Sequence, residues 1–214
     1  MDIVIDKDYL GIILFSFFVL ITFWCWYVYR RDQKAKQAQG RQGEAYLSRQ
    51  LSSLPKDYIL LNDLLLRYDH HTVQIDHVVI SPYGVFVVET KNFRGEIYGS
   101  SNDKQWLQVN KSRKRYFYNP VMQNRRHCQA LSAVCRISFK KIFSLIVFIG
   151  RCDLHVKDAY NLVMSKDVIG YIKQFQDQCL SQNDIEWIYH RLKSKNITSS
   201  YIRNSHVSYA SKLT

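Results

Sequence analysis

The sequence predicts an α/β domain carried behind a single membrane-spanning helix. Three observations lead there. An uncharged apolar stretch runs from Leu10 to Val28, two segments rich in Val, Ile and Phe flank a Ser81-Pro82-Tyr83-Gly84 turn, and amphipathic helical patterns follow those strands.

The apolar stretch, residues 10–29, is long enough to cross a hydrocarbon core of about 30 Å. Trp24, Trp26, Tyr27 and Tyr29 cluster at its carboxyl end as an interfacial aromatic belt does, and Arg30, Arg31, Lys34 and Lys36 follow at once. Residues 1–9 carry Asp2, Asp6, Lys7 and Asp8, so the positive-inside rule puts this short segment outside and the remaining chain in the cytoplasm. The basic start and small-residue cleavage site of a secretory signal are missing, as is the polar periodicity of a buried core helix. Residues 30–39 read as a basic linker, with Arg30 and Arg31 placed to meet anionic lipid. Residues 40–195 then suffice for one compact domain, and residues 196–214, polar and without periodicity, read as a weakly ordered tail.

Next comes a hairpin, with strands from Val73 to Ser81 and from Gly84 to Lys91. If Pro82 and Tyr83 form the loop, Ser81 faces Gly84, and counting back sets Asp76 opposite Glu89 with their Cβ atoms roughly 5 Å apart. Period-2 alternation groups Gln74, Asp76, Val78 and Ile80 on one face, across from Lys91, Glu89, Val87 and Val85. Two carboxylates so close repel each other, and a divalent cation between them resolves the conflict. Carboxylate oxygens with a backbone carbonyl and waters suit Mg²⁺ or Mn²⁺, and Lys91 is placed to stabilise a phosphate or orient a water. Such parts fit phosphodiester hydrolysis; the alternative is a solvated cross-strand salt-bridge ladder.

Asp76, followed by Glu89-Thr90-Lys91 on the next strand, resembles the signature of the PD-(D/E)xK nuclease superfamily. Four blocks narrow the resemblance to the NERD, or nuclease-related, domain: Gly40-Arg41-Gln42-Gly43-Glu44, Gln74 to Ser81, Pro82 to Asn92, and Asn119-Pro120-Val121-Met122-Gln123-Asn124. The match covers about Gly40 to Val134. It implies a restriction-endonuclease-like α/β core in which a helix precedes a mixed sheet flanked by helices. Asp76, Glu89 and the backbone carbonyl of Thr90 would then hold the metal, and Lys91 would assist the nucleophilic water. Glu44 matches a helix glutamate that completes such sites, and Gln123 a polar position on the next helix. Read from the residues alone, Glu44 opens an amphipathic helix with Tyr46, Leu47, Gln50, Leu51 and Leu54 as a solvated first-turn acid, and Gln123 follows an Asn119-Pro120 helix start as a cap or surface residue.

Charge is distributed unevenly. The chain is +12 overall, and between Asp103 and Asp153 it has no acidic residue while Lys111, Arg113, Lys114, Arg115, Arg125 and Arg126 accumulate. Tyr116, Phe117 and Tyr118 follow the basic run as stacking surfaces, so a nucleic acid, DNA first, is the expected partner of this stretch, with anionic lipid the alternative. The five cysteines show no Cys-x-x-Cys spacing and read as reduced core thiols rather than a zinc site or a disulfide framework. His70-His71 falls in a loop between Leu66 and Thr72, and His77 lies on the face opposite Asp76.

Further elements are a hairpin of Ile97 with Trp106 to Val109, a helix from Gln123 to Val134, and strands at Ser144 to Ile149 and Asn161 to Met164. Amphipathic helices are expected at Val168 to Leu180 and Ser181 to Lys195, the second capped by Ser181 with Asp184. The functional expectation is a membrane-anchored, Mg²⁺- or Mn²⁺-dependent nuclease acting on DNA. A tethered nucleic-acid-binding or assembly module that does not cleave, and a lipid-facing scaffold, are the alternatives.

Overall fold

In the computed structural model, residues 7–210 are described, with side chains for residues 11–206. Asp2 and Asp6 of the expected outer segment and residues 211–214 of the expected tail lie outside the described residues. The chain divides into two units, Met1–Gln42 and Gly43–Thr214.

Helix α1, Lys7–Leu51, carries the apolar stretch in the first unit, and its residues from Gly43 onward belong to the second. Its large side chains are uncovered, Phe15 at 68% and Trp24 at 66%, and among the described residues it is the one helix long and apolar enough to cross a membrane. The Arg30 guanidinium lies 5.1 Å from the Trp26 ring. Two expectations are corrected here. Residues 30–39 are helical and not a separate linker, because Gln33-Lys34-Ala35-Lys36-Gln37-Ala38-Gln39 is a run of strong helix formers with nothing to end the helix. Glu44 consequently lies within α1 and not in a first turn, so no helix terminus favours its charge.

The second unit contains two mixed sheets flanked by helices. Strands β1 (Ile59–Tyr68), β2 (His71–Ser81) and β3 (Gly84–Asn92) form an antiparallel meander, and β7 (Ile142–Ile149) joins β3 in parallel. The larger sheet runs β1-β2-β3-β7-β9, where β9 is Leu162–Met164. The smaller runs β6-β5-β4-β8, with β4 at Gly95–Ser100, β5 at Gln105–Asn110, β6 at Arg113–Tyr118 and β8 at Cys152–Lys157. The chain passes from β3 to β4 and from β7 to β8 by short corners. Gly150, at φ 96° in the second corner, sits where an added Cβ would lie 2.7 Å from the Phe93 carbonyl oxygen.

Helices cover both faces of the larger sheet, which is why β3 is apolar at every position from Val85 to Val88. On one face Val78, Ile80, Val85 and Val87 pack with Cys128 and Leu131 of α2 (Pro120–Cys135) and Ile185, Ile188 and Leu192 of α4 (Gln182–Lys195). On the other, Val79, Phe86 and Val88 pack with Leu47 and Leu51 of α1 and with Val168 and Ile172 of α3 (Val168–Lys173). Trp106, Phe117, Ile97 and Cys152 of the smaller sheet pack with Ile146 and Phe148 of β7. Cys128, Cys135 and Cys152 are buried free thiols, whereas Cys25, in the apolar helix, is exposed.

Several elements differ from expectation. His71 is the first residue of β2, pairing with Tyr68, because Asp69 and His70 alone form the turn, both with positive φ. The basic run and the aromatics after it form strand β6 at the edge of the smaller sheet. The expected helix from Val168 to Leu180 stops at Lys173; the chain then places Phe175 against Phe86 and Phe143 and ties the amides of Cys179 and Leu180 to the Pro82 carbonyl. The Ser181–Asp184 capping box is present as expected. The tail forms helix α5, Ser200–Ala210. Its approach is pinned to β1: the Ile197 amide donates to the Leu65 carbonyl, the Leu65 amide donates to Asn196 Oδ1, and the Arg203 guanidinium donates to both Asp63 carboxylate oxygens at 3.0 and 2.9 Å.

Asn119 joins α2 to the smaller sheet. Its Oδ1 accepts from the Val121 amide as the N-cap, while its Nδ2 donates to the carbonyls of Ser100, Ser101 and Asp103. Pro120 then occupies the first helical turn, where no amide donor is needed. Asn119→Ala removes the cap and the side-chain donor that ties α2 to the turn after β4, so a loss of about 1–2 kcal/mol is expected in denaturant unfolding.

Candidate active site

Strand β3 can be apolar only while helices cover both its faces, and charge enters where that cover ends, at Glu89-Thr90-Lys91. Glu89 stays buried, its side chain 4% exposed, and Lys91 is 15% exposed. Lys91 Nζ donates to Glu89 Oε1 at 2.7 Å and to Gln123 Oε1 at 2.9 Å, so one ammonium joins β3 to α2. A second α2 side chain reaches the same acid: His127 Nδ1 lies 3.3 Å from Glu89 Oε2. That approach is off the line of a hydrogen bond, and both atoms are otherwise without a hydrogen-bond partner, so it is an electrostatic contact.

The hairpin register agrees with expectation from Ser81↔Gly84 through His77↔Val88, and the ladder then ends. Asp76 lies just beyond, and its Oδ2 accepts the Thr90 amide at 2.8 Å, filling the position a strand carbonyl would take. The expected alternation fails at this point. Val73 and Ile75 share a face with Val78 and Ile80, so Gln74 does not line up with them. The reason lies on β1, where Asp63 adopts φ 53° and the ladder skips the Asp63–Asp76 pair, resetting the phase of both strands. Leu61 and Leu64 reverse phase in step. Gln74 Nε2 instead donates to Asp63 Oδ1.

Burial, then the Glu89 and Glu44 carboxylates, push the Asp76 carboxyl well above the usual range, against the Thr90 amide and Lys91. Acids of α1 and β3 thus act on Asp76 of β2. Glu44 is brought near by Gly43, which packs so closely that an added Cβ would lie 2.9 Å from Asn92 Cβ. On α2, Asn124 donates from Nδ2 to the carbonyls of Val87 and Leu145 and to Ser144 Oγ, fixing the helix over β3 and β7. The block Asn119 to Asn124 is therefore a cap, a first-turn proline, a lysine partner and a sheet anchor in sequence.

The sequence-predicted residues separate into two groups. Asp76, Glu89, Lys91, Gln123 and Glu44 come together. Lys111, Arg113, Lys114 and Arg115 lie exposed on the turn after β5 and on β6, and Arg125 and Arg126 lie on the exposed side of α2. His127 was missed. Its signal was the four-residue spacing from Gln123, which puts both on one helix face. Burial pushes its imidazole below the ordinary range, and Glu89 acts in the opposite sense.

A divalent ion is tested by the donor set itself. No group of three or more His, Cys, Asp or Glu able to hold a metal is found among the described residues. Two carboxylates brought together beside one lysine, Asp76 and Glu89, still match Mg²⁺, which keeps several waters and takes only one or two carboxylates.

Comparison with known proteins identifies the family of the chain. A family model described as "Nuclease-related domain" matches residues 39–149. An uncharacterized protein of Bacillus anthracis is 35% identical over 178 residues, 80% of this chain and 83% of its own length. No solved structure matches the chain.

Beside the site, His77 is buried; its Nδ1 lies 2.7 Å from Asn62 Oδ1, its Nε2 has no partner, and burial pushes its imidazole down to about 4. Between that value and the ordinary 6.5 the unfolded chain binds a proton that the native chain does not, so stability rises with pH across this window and is lost as pH falls through it. The loss is on the order of 3 kcal/mol. Thermal unfolding of His77→Gln between pH 4 and 6.5 should show a shallower pH slope than the wild type, whatever its absolute stability.

Proposed function

Because the chain belongs to the nuclease-related domain family, we propose that it is a membrane-anchored, divalent-metal-dependent nuclease whose substrate is DNA. One observation carries the reading: Asp76, whose ionisation is made costly by burial and then by the Glu89 carboxylate, is held with Glu89 and Lys91 where β3 leaves its apolar cover. A purely structural role would be served better by apolar residues there.

Asp76, Glu89 and the Thr90 carbonyl would hold Mg²⁺ or Mn²⁺, with Glu44 adding negative charge. When bound, the ion polarises the phosphoryl oxygens and offsets the charge that develops on them. Asp76 is oriented by the Thr90 amide. Lys91, steadied by Gln123 Oε1, supplies a positive charge for the attacked phosphate once Glu89 turns to the ion, and orients the attacking water. The exposed residues Lys111, Arg113, Lys114 and Arg115, with Arg125 and Arg126, bind the phosphate backbone, and Tyr116 and Tyr118 offer exposed rings beside them. In this reading Leu10 to Val28 cross the bilayer, the amino terminus faces out, and Arg30 and Arg31 meet anionic headgroups on the cytoplasmic side.

Full-length protein in detergent is incubated with linear, circular and single-stranded DNA and with RNA, in Mg²⁺, Mn²⁺ or chelator. Cleavage of DNA that needs the ion and falls at least about 10³-fold in Lys91→Ala is expected. Tight, salt-sensitive binding without cleavage would instead assign the tethered binding module. Neutralising Lys114 and Arg115 together should lower the slope of log affinity for DNA against log salt by roughly 2 and leave vesicle binding unchanged. Lost vesicle binding with unaltered DNA binding would mark that face as lipid-facing.

A further inference from the structure

Resting on the nuclease reading, we infer that His127 is a positioning residue that presets the orientation of Glu89. The Glu89 carboxylate is approached from two sides by different elements. Lys91 of β3 holds Oε1 at 2.7 Å, and His127 of α2 faces Oε2 at 3.3 Å. Both side chains of the histidine–glutamate pair are almost fully buried, at 8% and 4% exposure. Neither Glu89 Oε2 nor His127 Nδ1 has a hydrogen bond to any other group. Two buried polar atoms 3.3 Å apart, each without a hydrogen-bond partner, are costly to keep in a core, and a leucine at position 127 would fill the space without the histidine's share of that cost.

The arrangement makes sense as a clamp from one rigid helix. Gln123 and His127 stand one turn apart on α2, and between them they hold both charged ends of Glu89-Thr90-Lys91. Asn119 and Asn124 fix the helix itself against the two sheets. The position of α2 is thereby transmitted to Glu89, whose carboxylate turns from Lys91 with its Oε2 side held. All that is required is that the 3.3 Å off-line contact close to a hydrogen bond with Oε2 as Glu89 gives up the lysine.

The test is Mn²⁺ binding to the full chain in detergent, followed by electron paramagnetic resonance of the free ion. His127→Ala is expected to weaken binding roughly 10–100-fold, and His127→Asn, whose amide nitrogen can take the place of Nδ1, to restore most of it. His127→Leu keeps the core volume without a donor and should behave as the alanine variant does, separating orientation from packing. In a Glu89→Gln background the same substitutions should add nothing. On DNA, kcat should fall and KM should not. Wild-type Mn²⁺ affinity in both H127A and H127L would overturn the positioning role alone. An equal loss in the Glu89→Gln background would overturn it too, as a packing effect. Absence of Mn²⁺ binding in the wild type would bring down the metal-dependent reading and this inference together.

Discussion

The burial of β3 on both faces is the constraint on which the rest of the structure depends. A strand covered by α2 and α4 on one side and by α1 and α3 on the other has no position for a charge until the cover ends. Glu89, Thr90 and Lys91 follow directly, and each must be satisfied by neighbours rather than by bulk water. Lys91 answers Glu89, Gln123 answers Lys91, and the Thr90 amide answers Asp76. Two atoms are exceptions: Thr90 Oγ1, which has no hydrogen-bond partner, and Glu89 Oε2, left with the His127 contact alone.

A site of this kind needs its surrounding elements held firmly, since a small displacement of α2 would separate Lys91 from Gln123. The fold meets the need with buried amides. Asn119 and Asn124 tie α2 to both sheets through five backbone carbonyls, and Gly43 lets α1 come against Asn92 at the end of β3. The C-terminal segment adds a brace on the opposite edge, where Arg203 holds Asp63 in its left-handed conformation beside the position at which β1 and β2 change phase.

Where the sequence could be read, the information was local. Ser-Pro-Tyr-Gly defined a two-residue turn, and the register followed from it as far as His77↔Val88. Ser181 and Asp184 announced their capping box, and Asn119-Pro120 a helix start. Where it misled, a distant partner had decided the matter. The phase at Asp76 is reset by the backbone of Asp63, and the helix expected to Leu180 ends early because Phe175 and the amides after it have partners on the hairpin. A tail with no periodicity of its own becomes a helix once Asn196, Ile197 and Arg203 find β1.

What the sequence by itself determined is the set of charged and apolar words: an uncharged helix followed by basic residues, a turn that brings Asp76 near Glu89, and the chemistry of acids beside a lysine. These depend on neighbours within a few residues or across one tight turn. The tertiary structure decided how polar groups of other elements reach β3. His127 and Gln123 meet β3 only because α2 is anchored across it, and Glu44 approaches Asp76 only because a glycine lets α1 close on β3. Contacts between elements so far apart in the chain are settled by packing, for which periodicity and spacing carry no signal.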